Sequence, residues 1–237
     1  LMNVGFLAIF RVYTLFSSSP IFPFMNNVLI MSGILSLLIA AGYMLKAKHL
    51  KRMLAYSSLE NMGLVAIATG AGGSGYHAAL LLLVLHSFVK ASLFFQMGQL
   101  SRILHTFSLD KAGRYMQLYP AGALVLILGM ISILAIPPSG LFISEILIFR
   151  SLVSDGRWFV LISAIVLLCF IVYAMSTRIM HILYSAPRGS EITQEPSFVN
   201  PVETVTQFIF LGLVAASCFY QPDFIVRLID HSIAMLP

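Results

Sequence analysis

The chain has 237 residues, of which 59% are hydrophobic and only 10% charged, with a formal net charge of +5. A soluble domain carries about 25% charged residues, so this composition excludes an ordinary soluble fold. The basic residues fall in short clusters between apolar runs, which is a pattern of membrane topology and argues against a nucleic-acid partner.

Seven apolar segments follow in chain order, near 1–16, 26–46, 52–71, 77–101, 119–149, 158–184 and 202–220. Apart from the first, each approaches the ~20 residues that cross a bilayer. The expected fold class is an all-α polytopic membrane protein with about seven transmembrane helices. Leu1 opens inside an apolar run with no basic stretch before it, so no signal peptide is expected and the chain reads as a piece of a longer protein. Gly70-Ala71-Gly72-Gly73-Ser74-Gly75 lacks the Lys-Ser/Thr ending of a phosphate loop and predicts a tight turn between the third and fourth runs. The fifth run is broken at Pro137-Pro138, where two backbone donors are missing. Such a break at membrane depth survives only where it faces protein or a water-filled cavity. Residues 221–237 predict a short amphipathic helix at the membrane surface. Cys169 and Cys218 lie in apolar runs without metal-ligand spacing and are expected to be small buried hydrophobes.

Alternate loops place Lys46, Lys48, Lys51, Arg52, Arg102, Lys111, Arg114, Arg178 and Arg188 on one side, and Arg11, Arg150, Arg157 and Arg227 on the other. The richer side, which also holds the polar connection 186–201, is expected in the cytoplasm. The expected location is the inner (cytoplasmic) membrane of the cell, crossed many times.

Ionisable residues inside a span mark function by default. Lys90 lies deep in the fourth run, and a lysine at a helix centre costs ~2.5–3.5 kcal/mol. Its distance from both ends makes snorkelling to water awkward. A desolvated lysine shifts its pKa readily and so suits reversible protonation; otherwise Lys90 is glue, bonded to a carbonyl or carboxylate. His86, four residues earlier, shares its helix face, Ser87 borders that face, and Ser92, Gln96 and Gln99 occupy another. His86 is either a proton relay or an ordinary hydrogen bonder. Glu145, just past the proline break, either exchanges protons or pairs with Arg150 to hold the broken helix. Glu60, beside Asn61, is a further candidate, set against a role as partner of the Lys51/Arg52 cluster. His181, with Arg178, is either an interface anchor or a proton entry point. His49, His77, His105 and His231 lie in or beside loops and receive no role. The chain has no catalytic triad, HExxH, CxxC or dinucleotide motif, so no redox chemistry, metal or cofactor of its own is expected.

Lys51-Arg52-Met53-Leu54-Ala55-Tyr56-Ser57-Ser58-Leu59-Glu60-Asn61-Met62-Gly63 resembles a signature of the proton-conducting antiporter-like membrane subunits. That family includes the large membrane subunits of respiratory complex I (NADH-quinone oxidoreductase), Mrp-type sodium/proton antiporter subunits and the membrane arms of group 4 hydrogenases and formate hydrogenlyase. His86-Ser87-Phe88-Val89-Lys90-Ala91-Ser92-Leu93-Phe94-Phe95 is similar to its lysine-bearing helix, and Pro137-Pro138-Ser139-Gly140 through Glu145 to its discontinuous helix. Together the first and third strings look most like the hydrogenase-4 component F type.

The resemblance implies that residues 1–237 form one transmembrane domain, equivalent to the second of two inverted repeats plus the final helix. It implies a non-catalytic subunit, without its own cofactor, of a redox-driven complex that moves protons, or sodium ions against protons. The implied partners are other membrane subunits, a peripheral arm of iron–sulfur and hydrogenase or dehydrogenase subunits, and the lipid bilayer. Lys90 would be the central proton store, His86 its relay and Glu145 the terminal exchange site. Two departures stand against this. The first repeat, with its expected glutamate–lysine pair, is missing, and Asn3 occupies a place where many relatives have lysine or histidine. An asparagine holds no proton charge, which puts the link between half-channels in question. An Mrp-type cation/proton antiporter subunit without a redox partner and a non-transporting scaffold for a redox arm are the alternatives.

Overall fold

A computed structural model describes residues 2–186 and 200–234. Arg188, most of the polar connection 186–201 and the last residues of the tail lie outside the described residues. The described chain is helical, with no strand and one isolated bridge between His49 and Ser108. The helices are α1 (Met2–Leu15), α2 (Phe22–Leu45), α3 (Leu50–Ala71), α4 (Ser74–Leu104), α5 (Tyr115–Leu118), α6 (Pro120–Ile133), α7 (Gly140–Ser154), α8 (Trp158–Tyr184), α9 (Pro201–Phe219) and α10 (Asp223–Ile233).

Four of them, α2, α4, α8 and α9, are long and apolar enough to cross a membrane. The 22-residue α3 has the length, but Lys51, Arg52, Glu60 and Asn61 dilute its hydropathy. It is nevertheless among the most buried helices, packed on α2, α4 and α7. Lipid is as apolar as leucine, so burial here follows small and polar residues rather than hydrophobicity. Gly33 and Gly63 meet face to face: a Cβ on Gly33 would lie 2.6 Å from the Gly63 carbonyl, and one on Gly63 would lie 2.9 Å from the Gly33 carbonyl. The same logic corrects the reading of the cysteines. Cys169 is exposed on α8 and Cys218 is only half buried, because the outward faces of a membrane protein are themselves apolar.

Gly72 (φ 75°) and Gly73 (φ 53°) turn the chain between α3 and α4 in the left-handed backbone region that side chains disfavour. At the basic end, Leu50 N donates to Phe107 O (3.0 Å), Leu109 N to Lys48 O (2.9 Å) and Arg114 N to Ser185 O (3.0 Å), which ties the loop 105–114 beneath α3 and α8. At the opposite end the Tyr13 hydroxyl contacts Asn26 Oδ1 (2.7 Å), the Tyr76 hydroxyl (2.9 Å) and Thr69 O (3.3 Å), joining α1, α2, α3 and α4. There α10 lies against the start of α4 through His77 and Asp230 (3.3 Å). Its Ile229 is buried while Phe224 and Leu228 stay exposed.

The fifth apolar run is split as the prolines require. α6 stops at Ile133, Ala135 takes φ 48°, and Pro137–Pro138 is cis. Ser139 then caps α7: its hydroxyl accepts from Leu141 N (3.2 Å) and donates to Ser132 O (3.1 Å). Ile136 N bonds Ile131 O (2.9 Å) and Ser139 N bonds Ile136 O (3.1 Å). These bonds occupy backbone groups that a bilayer would leave without partners. The restart is pinned by Gly140, where a Cβ would meet Leu85 of α4 and the Val214 carbonyl of α9, each at 2.8 Å.

Candidate functional site

The site forms where α3, α4 and α7 pack around the middle of the bundle. Lys90 is 6% exposed, and its Nζ donates to the Leu54 carbonyl (2.6 Å) and the Ser57 hydroxyl (2.5 Å) on α3. Ser57 in turn donates to Leu54 O (3.0 Å). Both acceptors are uncharged. Glu60 follows Ser57 by three residues, so it stands on the neighbouring turn of α3 and is 2% exposed. Its Oε2 has no hydrogen-bond partner among the described residues. The charges of Glu145 and Lys90 both act on it, yet no ion pair links the three among the described residues.

Neither structural alternative for the carboxylates holds. Glu145 makes no ion pair with Arg150 among the described residues, and Arg150 is exposed. Glu60 lies about two turns above Arg52, and the Lys51 ammonium sits over the Phe107 ring instead, 3.8 Å from its centroid. Glu145, half buried, rides on the second turn of α7. The far end of that helix is tied down by Ser151 Oγ donating to the Gly72 carbonyl (3.1 Å).

His86 is 3% exposed and its Nε2 has no partner among the described residues. Lys90, one turn on, acts on it electrostatically. Asn3 reaches the same place from α1: its Nδ2 donates to the Ser87 hydroxyl (2.5 Å), which bonds Leu83 O (2.8 Å). The structure therefore brings Lys90, His86, Glu60 and Glu145 within electrostatic reach of one another, while Asn3 bonds Ser87, next to His86 in the chain. His181 stands apart, lining a cavity of about 310 Å³ at the basic end with Asp110, Thr177 and Arg178, on a helix that packs chiefly against α2. No group of three or more His, Cys, Asp or Glu residues able to hold a metal ion occurs among the described residues.

Sequence reasoning names Ser57 and Asn61 without giving them a role; Asn61 Nδ2 bonds Ser57 O (2.9 Å). Their polarity within an apolar run was the available signal; that Ser57 faces Lys90 depends on how α3 and α4 pack. Chemically, the arrangement is a row of ionisable groups in a poorly solvated interior, where a charge change at one is felt strongly at the next.

Residues 1–171 match the family described as NADH:quinone oxidoreductase/Mrp antiporter, TM. Over its whole length the chain is 29% identical to a hydrogenase-4 component F homolog of Methylacidiphilum infernorum, of which it covers 48%. Over 66% of its length it is 31% identical to hydrogenase-4 component B of Escherichia coli, covering 25% of that protein. It thus spans about half the length, or less, of these relatives. Two solved structures share the fold over 98% of the chain: the Mrp complex from Dietzia sp. (TM-score 0.80, 16% identity, 50% of that chain covered) and the membrane-bound sulfane sulfur reductase, an archaeal respiratory membrane complex (TM-score 0.77, 19% identity, 49% covered).

Proposed function

The chain belongs to the NADH:quinone oxidoreductase/Mrp antiporter transmembrane family, and from that premise we propose that it conducts protons, or sodium ions in exchange for protons, within a redox-driven membrane complex of hydrogenase-4, formate hydrogenlyase or complex I type. It supplies the second repeat and the final helix of such a subunit, with α10 lying at the membrane surface. Lys90 is the central proton store, His86 its relay and Glu145 the terminal exchange site. Glu60 joins the row between Lys90 and Glu145. Other membrane subunits and a peripheral redox arm are its partners, the arm carrying the electron chemistry. The basic end faces the cytoplasm.

One observation carries this reading: the buried Lys90 amine is held by two neutral oxygens, not locked to a carboxylate. Two acceptors satisfy both hydrogens of a neutral amine, and an ammonium has one hydrogen more. The pocket thus matches the neutral amine, and no carboxylate partner among the described residues holds the proton on the ammonium. The Leu54 carbonyl is also the kind of partner expected of a lysine serving only as glue, so proton uptake by position-90 variants decides between the two.

The test is redox-driven proton uptake by membrane vesicles containing the intact parent complex, compared with Lys90→Ala and Glu145→Gln. Loss of uptake with assembly and redox turnover retained supports the assignment. Normal uptake in both variants sinks it and leaves a scaffold.

A further inference from the structure

The polar side chains unused so far gather on the face of α4 turned away from Lys90. Ser92, Gln96 and Gln99 form one helical stripe, which Arg102 extends to the basic end. Opposite them α9 presents Glu203, Thr204 and Gln207. Ser92 Oγ donates to the Gln207 backbone carbonyl (3.3 Å), and Gln99 Nε2 to Thr204 Oγ1 (3.2 Å) and Glu203 Oε2 (3.3 Å). Gln96 Nε2 donates to the Tyr115 hydroxyl (2.7 Å), the Tyr119 and Thr204 hydroxyls pair (2.7 Å), and Arg102 binds Glu203 at the surface.

These bonds leave a deficit. Gln96 Oε1, Gln99 Oε1 and both polar side-chain atoms of Gln207 lack a partner among the described residues, although all three glutamines are 0% exposed. Turning amides end for end does not repair it: Gln207 has no partner for either atom, and a flipped Gln96 exchanges an unpaired oxygen for an unpaired nitrogen. Each unpaired buried group is destabilising, a cost that leucines would avoid. From Arg102 to Ser92 the helix rises ~15 Å, half of a ~30 Å hydrocarbon core. One turn beyond Gln207, Leu211 lines a cavity of about 200 Å³ together with Ser132, Pro138 and Ser139 at the helix break.

We propose that the α4/α9 interface is a water-binding inlet that carries water, and protons along it, from the basic end to the break between α6 and α7. The chemistry favours water over a dehydrated cation. A hard cation takes oxygen ligands alone, whereas the unpaired atoms here include the Gln207 Nε2 donor beside three oxygens, and water uses both. The inlet rests on the proton-transport reading but is separate from the Lys90 group, lying on the other face of α4.

Two measurements on the intact complex test it. A map resolving waters is expected to show ordered water against the free atoms of Gln96, Gln99 and Gln207; a dry interface overturns the inlet. In vesicles, Gln207→Leu, which keeps volume and removes polarity, is expected to lower proton uptake several-fold with redox turnover retained, while Gln207→Asn keeps most of it and Gln99→Leu repeats the loss. Wild-type uptake by both leucine variants overturns proton passage. Lys90→Ala and Glu145→Gln in the same vesicles keep the two ideas apart. If they abolish uptake and the leucine variants do not, the inlet alone fails. If they pump normally the transport reading fails, and the map still decides whether water binds.

Discussion

Lys90 of α4 and Ser57 of α3 stand 2.5 Å apart, nitrogen to hydroxyl, across the contact of two buried helices. The hydroxyl also donates to Leu54 O, so it accepts from the lysine while its own hydrogen is occupied. Ser57→Ala leaves the amine with the Leu54 carbonyl alone. The expected destabilisation is about 1–3 kcal/mol, that of a buried donor deprived of its partner. Thermal unfolding of the complex should show it, with a loss of proton uptake smaller than that of Lys90→Ala.

Charge and titration are separable at position 90. Lys90→Arg keeps the positive charge but not the ability to release it, since a guanidinium stays protonated in proteins. Proton uptake is expected to be lost as fully as in Lys90→Ala. An arginine variant that pumps would show that a fixed charge suffices and that no proton leaves this residue.

The α2–α3 contact tolerates no side chain at its centre. Gly33→Ala places a Cβ 2.6 Å from both the Gly63 carbonyl and Ile67 Cγ1, so the helices must separate at a cost of about 1–3 kcal/mol. Gly98→Ala on α4 is the control. Nothing lies within 4 Å of its Cβ, and a mid-helix glycine replaced by alanine should stabilise by about 0.5–1 kcal/mol. Opposite shifts in melting temperature are expected.

At the helix break, Ser139 serves both halves, capping α7 and bonding the Ser132 carbonyl of α6. Ser139→Ala is expected to cost about 1 kcal/mol as a lost cap, with Ser132 O freed besides. Ser139→Thr, which keeps the hydroxyl, should restore most of the stability. If alanine and threonine melt alike, the cap does not hold the break.

Composition and periodicity make the fold legible: α8 begins and ends at the residues where its apolar run does, and the prolines mark the split between α6 and α7. Lys90, His86 and Glu145 can be picked out because a charged or titratable group in an apolar run is conspicuous. The rest depends on distances between helices. The partners of Lys90 lie 33 and 36 residues away in the chain, and Glu60 looks like a neighbour of Lys51 and Arg52 until α3 is seen to bury it. Cys169 was misread because apolar sequence does not separate a lipid-facing position from a core one.

The polar composition of α3 bears on how the protein enters its membrane. Glu60 and Asn61 near its middle make it a poor candidate for insertion by itself, since a charged residue near a helix centre resists transfer into lipid by about 2.5–3.5 kcal/mol. The preceding α2 is strongly apolar, joined to it by a short connection and matched to it glycine to glycine. Biogenesis of this region is therefore expected to proceed by hairpin, with α2 carrying α3 across. A glycosylation-mapping assay should find α3 left outside when presented to the translocon alone and inserted when α2 precedes it. The buried polar residues of α3 would then also fix the order in which the helices are threaded.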